Sequence, residues 1–96
     1  MRADYDSEAN ALSIDLRRFD RYERQDEVDD DYCVVGFAGG EPVRISLLSP
    51  AKHLDLLDVA AERFSLDRVA LRAAAQAALA APDRIVELEV AARVAA

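Results

Sequence analysis

Three stretches of this chain hold residue types that could do chemistry. The densest is Asp26, Glu27, Asp29, Asp30 and Asp31, five acids within six positions. Clustered carboxylates can bind a cation, and a pair of them can exchange protons with a substrate. A calcium loop, however, spaces its oxygen ligands around a central glycine and ends on a bidentate glutamate. Neither feature accompanies the run, which therefore reads as a turn whose like charges prefer water. Asp4, Asp6 and Glu8 lack the pattern for the same reason. Cys33 is a nucleophile only beside a suitable base. The sole histidine, His53, is not brought to it by any local spacing, so Cys33 reads as a small buried hydrophobe. A single imidazole is also too few for a zinc site, which leaves His53 as a surface residue. Gly39-Gly40 supplies backbone freedom for a hairpin turn, and no helix follows it as a phosphate loop requires. The expectation is a protein that is not an enzyme and has no catalytic residues, no metal and no cofactor.

Composition narrows the class. Ninety-six residues, 52% hydrophobic and 32% charged, suit one globular domain over 1–96 with a modest core. A formal net charge of −7 repels phosphate backbones and anionic membranes, which makes nucleic acid an improbable default partner. No apolar run approaches the roughly 20 residues that span a bilayer, and the opening MRADYDSEAN has no apolar core of a secretory signal. One cysteine cannot form an internal disulfide. A cytoplasmic location is the simple expectation.

The elements that would position these residues begin with Ala11–Arg17. Leu12, Ile14 and Leu16 alternate with Ser13 and Asp15, the signature of a strand with one apolar face. Residues 1–10 read as irregular, and 18–28 as an edge strand defended by charge. Tyr32–Phe37 is a strand by its β-branched and aromatic content, with Cys33, Val35 and Phe37 on one face. Beyond the glycine turn, Val43, Ile45 and Leu47 alternate with Arg44, Ser46 and Leu48. Ser49-Pro50 predicts a helix start, with a stripe of Leu54, Leu57, Ala61 and Phe64. Ser65 is expected to cap a second helix over 66–81, with Phe64 and Val69 as its staple. Leu66, Val69, Ala73, Ala77 and Ala80 would form its narrow apolar face. Pro82 stops it, and Arg84–Val90 returns as a last strand. Strands first and helices afterwards indicate an α+β fold: an antiparallel meander of about four strands over 1–49, a helical pair over 50–81, then a final strand and tail over 82–96.

Two families share parts of this pattern. Tyr5-Asp6, Glu8-Ala9-Asn10-Ala11-Leu12, the Ile14–Leu16 strand, Glu27, Val28, Asp30 and the closing Val43–Leu48 strand resemble the small bacterial family called domain of unknown function 2283, over about residues 4–52. Asn10 stands where that family usually has another acid. The resemblance implies a small antiparallel sheet and no established activity. Residues 43–81 resemble a ribbon-helix-helix module, through a short strand before Ser49-Pro50 and then Leu54, Leu57, Ala60, Ser65, Arg68, Leu71 and Ala78. That resemblance implies a DNA-binding regulator or antitoxin, in which Arg44 and Ser46 would face the major groove.

The leading expectation is a non-enzymatic, self-associating interaction or regulatory module of an intracellular bacterial protein. The groove-reading regulator is the alternative. A homodimer is expected, built on the last strand through Val86, Leu88 and Val90, on the alanine-rich helix, or on both. Whether strand 43–48 lies inside a sheet or pairs with a second chain separates the two readings.

Overall fold

The computed structural model describes residues 1–89, and the architecture is α+β. Six strands form one antiparallel sheet: β1 (Arg2–Asp6), β2 (Ala11–Asp15), β3 (Arg24–Asp29), β4 (Cys33–Ala38), β5 (Glu41–Leu48) and β6 (Ile85–Glu87). A single 3-10 turn, Pro50–Lys52, leads to helices α1 (Asp55–Phe64) and α2 (Arg68–Ala80), which both lie on one face of the sheet.

The strand order is β3-β4-β5-β2-β1-β6, so the sheet is not the four-strand meander that the chain order suggests. β1–β2 is one hairpin and β3-β4-β5 a separate meander. β2 leaves its sequence successor and pairs with β1 on one side and β5 on the other. The extra strand is β1, in the stretch expected to be irregular. Its inward residues are Ala3 and Tyr5, too small and too polar to announce themselves, yet Ala3 is buried opposite Ile14.

Register explains the core. Val86, Ala3, Ile14, Ile45 and Val35 stand opposite one another across five neighbouring strands. Leu12, Leu47 and Cys33 form the next inward row. Leu57, Ala60 and Ala61 of α1, and Leu71, Ala74, Ala75 and Ala78 of α2, close over these rows. Each fully buried leucine or isoleucine contributes about 1.5–3 kcal/mol through removal of apolar surface from water.

The helices correct several expectations. Ser49 adopts φ 48° and makes no side-chain cap, so Pro50 opens only a 3-10 turn and α1 starts at Asp55. Ser65 is the left-handed residue that ends α1, at φ 56°. The cap of α2 is Asp67, whose side chain accepts a hydrogen bond from the Ala70 N–H. That shift moves the staple from Phe64 and Val69 to Leu66 and Leu71, which are both buried. It also turns the helix: Ala70, Leu71, Ala74, Ala75 and Ala78 face the sheet, whereas Val69, Ala73 and Ala80 are exposed. The last strand is shorter than Arg84–Val90. Its ladder runs over Ile85–Glu87, and Val90 lies outside the described residues.

Candidate functional site

The face of the sheet opposite the helices carries the polar residues of β1, β2 and β5, among them Asp4, Ser13 and Asp15. Arg44 and Ser46 of β5 both project there, and that is where the sequence placed the nucleic-acid contacts of the alternative reading. Ser46 stands opposite Ser13 and Val34. Arg44 stands opposite Asp15 and Gly36. The guanidinium meets the Asp15 carboxylate through both Nε and Nη2, the bidentate geometry that fits a planar fork to a carboxylate. That hydrogen bond, strengthened by Asp15's charge, raises the Arg44 pKa, against the opposing cost of burial. The side chain is thus a cation whose position is fixed by two of its five N–H donors.

Residues 18–23, expected as part of an edge strand, instead fold as a loop over this face, with β2 ending at Asp15 rather than Arg17 and β3 beginning only at Arg24. Phe19 lies over Arg44, with the guanidinium carbon 5.0 Å from the ring centroid, a cation–π distance. Tyr22 stacks on Phe19 at 5.4 Å between centroids and rests on Gly36. Any side chain at Gly36 would overlap the tyrosine ring, so the glycine is required by close approach rather than by a turn. Arg17 anchors one end of the loop through Nη2 to the Ala38 carbonyl, and the Glu23 carboxylate accepts from the Gly39 N–H at the other. Between this loop and the β1–β6 edge runs an open groove of about 760 Å³, with Arg2, Arg18 and Arg44 interleaved with Asp15, Asp20 and Glu87. Its charges alternate in sign, so no single ion class is selected.

The other sequence candidates resolve into structural roles. Asp29 Oδ1 accepts from the N–H groups of Asp31 and Tyr32, which makes the acid run an Asx-type turn. Asp29, Asp30 and Asp31 bring carboxylate oxygens within 4.8 Å of one another, with Asp30 and Asp31 exposed. Asp6 Oδ1 accepts from Glu8 and Ala9, and Tyr5 donates to Asn10 Oδ1 at 2.7 Å, so the opening motif builds the β1–β2 turn. Cys33 is buried, and its thiol is pushed up to about 11 by desolvation, with the Asp29 charge adding to it. It is protonated at neutral pH and is a poor nucleophile. His53 stacks on Tyr32 at 4.0 Å.

β5 is an interior strand, hydrogen-bonded to β2 on one edge and β4 on the other. A two-chain ribbon needs a strand with a free edge, and forming one here would require β5 to leave a neighbour. Val86 and Leu88 face the chain's own core, Val86 opposite Ala3 and Leu88 packed against the buried cluster. Both side chains are half-buried, and the most exposed apolar residue of β6 is Ile85.

A second surface, which the sequence pattern did not single out, lies on the outer side of the helix pair. Arg72 of α2 grips Asp58 of α1 through Nε at 2.9 Å and Nη2 at 2.7 Å. That bond lowers the Asp58 pKa and raises that of Arg72. Around this bridge stand Val59 and Val69, both exposed, the latter at 73%. The signal was the helical phase: once Asp67 is the cap, Val69 must point outward.

Comparison of the chain with protein-family models, with curated proteins and with solved structures gives no match.

Proposed function

We propose that this chain is a non-enzymatic interaction or regulatory module that works by self-association, as a homodimer inside a bacterial cell. The observation that carries the reading is the apolar surface left in water. Val69 is 73% exposed, Ile85 63%, and Leu48 and Val59 are each more than a third exposed. Scattered single residues of this kind are ordinary on a small domain, but paired apolar side chains rimmed by charge are what association surfaces present. The chemistry of the polar groups supports the same reading: the thiol is held protonated, and Arg44 and Arg72 are tied to carboxylates.

Light scattering coupled to size exclusion tests the reading across a concentration series. A mass rising from 10.5 kDa toward twice that value is expected in the micromolar range. A mass fixed at the monomer value up to hundreds of micromolar would sink it. Fluorescence anisotropy with duplex DNA is expected to show no saturable binding at physiological salt. Phosphate-driven binding would instead appear and weaken steeply as salt rises.

A further inference from the structure

We infer that the dimer contact is the outer face of the α1–α2 pair, and that its occupant is a second copy of this chain related by a two-fold axis running along the helices. The inference rests on the self-association reading and names its surface. Charge is segregated by helix on this face. The outward acids Asp55, Asp58 and Glu62 belong to α1, and the outward cations Arg68 and Arg72 belong to α2. A two-fold axis along the helices lays α2 of each copy on α1 of the other, so every cation row meets an acid row twice. Of these five, only Asp58 and Arg72 form a salt bridge within the chain. Arg68 acts on Asp58, and Asp55 on Arg72, through charge alone, and Glu62 forms no salt bridge among the described residues. The same rotation places the exposed Val69 and Ala73 of one copy against Val59 of the other, so apolar meets apolar at the centre.

A second observation points the same way. Arg68 is the first residue of α2, where the helix dipole disfavours a cation. Glu62 lies in the last turn of α1, where the dipole disfavours an anion. Both charges work against the helix that bears them, which an opposite charge from a second copy would offset. Shallow grooves of about 300 and 510 Å³ flank Val59 and Val69 and leave room for opposing side chains.

The same facts supply a test in which misfolding cannot imitate the result. Val69→Asp and Arg68→Glu put an acid in the first turn of α2, and Glu62→Arg puts a cation in the last turn of α1, so each variant should fold at least as well as the parent. Each is expected to weaken association at least tenfold by sedimentation equilibrium. Arg68→Glu mixed with Glu62→Arg is expected to restore it, because the mixed pair recovers both opposite-charge contacts. Ile85→Asp, on the far face, is expected to leave the dimer intact. If the parent dimerises but Val69→Asp and the charge variants dimerise equally well, the helix face is excluded and self-association stands. If the parent is monomeric at every concentration, both readings fall.

Discussion

At the scale of the residue, Gly36 and Cys33 show how one atom is constrained by its neighbours. Gly36 sits in mid-strand with no unusual backbone, and its missing Cβ makes room for the Tyr22 ring. Gly36→Ala should push the ring off β4 and release the loop that carries Phe19. The expected cost is about 1–3 kcal/mol, as for an overpacked site. A changed tyrosine emission and a lower Tm would report it; an unaltered emission and Tm would show that the loop is not seated there. For Cys33, burial raises the folded thiol to about 11, above its ordinary value of 9.0. Between these values the unfolded chain releases a proton that the folded chain retains, so stability falls as pH rises. It should be flat below about pH 9 and drop by roughly 2–3 kcal/mol by pH 11, taking about 1.4 kcal/mol per unit. Denaturation of the Cys33→Ala variant, in which that part of the slope should vanish, provides the check. The reading of Cys33 as a buried hydrophobe follows from residue type and alternation. Gly36 could not be understood that way, because the partner that needs it is a tyrosine fourteen positions upstream in a charge-rich stretch.

At the scale of the element, alternation was the reliable guide. Leu12, Ile14 and Leu16 are all buried, as their period of two requires. Ile14→Asp should place an unpaired carboxylate among apolar side chains and cost about 3–5 kcal/mol, enough to unfold much of a domain this small. Ser13→Asp faces the opposite side, across from Asp4 and Ser46, so it should cost at most about 1 kcal/mol through like-charge repulsion. Thermal melts of the two variants should differ widely, and equal melting points would mean the register is wrong. Helix α2 was harder to read because its contrast is low. Alanine occupies positions 70, 73, 74, 75, 77, 78 and 80, so both faces look alike and the phase hangs on Val69 against Leu71. The cap decided it: Asp67 accepting from Ala70 sends Leu71 inward and Val69 outward. Strand β1 is hard to read from sequence because Ala3 and Tyr5 carry too little hydrophobic signal to outweigh four flanking polar residues.

At the scale of the whole molecule, alternation tells which side chains face inward but not which strands become neighbours. That is why α+β was legible and the strand order was not. The acid-rich β3 ends at an edge, where its charges reach water, and β2 and β5, the strands with the fullest apolar alternation, meet at the centre. The helices cover only one face, so the sheet's inner rows depend on them entirely. A chain ending after Lys52 keeps β1 to β5 yet loses Leu57, Leu71 and the alanines above Ile14 and Ile45. It is expected to bind a hydrophobic dye and to precipitate. A discrete, dye-negative species with a cooperative melt would show that the sheet sustains itself without its cover.

The order of the strands also sets a schedule for the ribosome. β1 and β2 emerge first as a hairpin, but β2's other neighbour, β5, follows some thirty residues later, after β3 and β4 have been made. β1's outer neighbour is later still: Met1 exchanges backbone hydrogen bonds with Leu88, joining residues 87 positions apart. This hairpin therefore waits long for its strand neighbours, and its apolar side stands bare until α1 and α2 have been made. A nascent chain of this kind is the form in which a holdase chaperone would find most to bind.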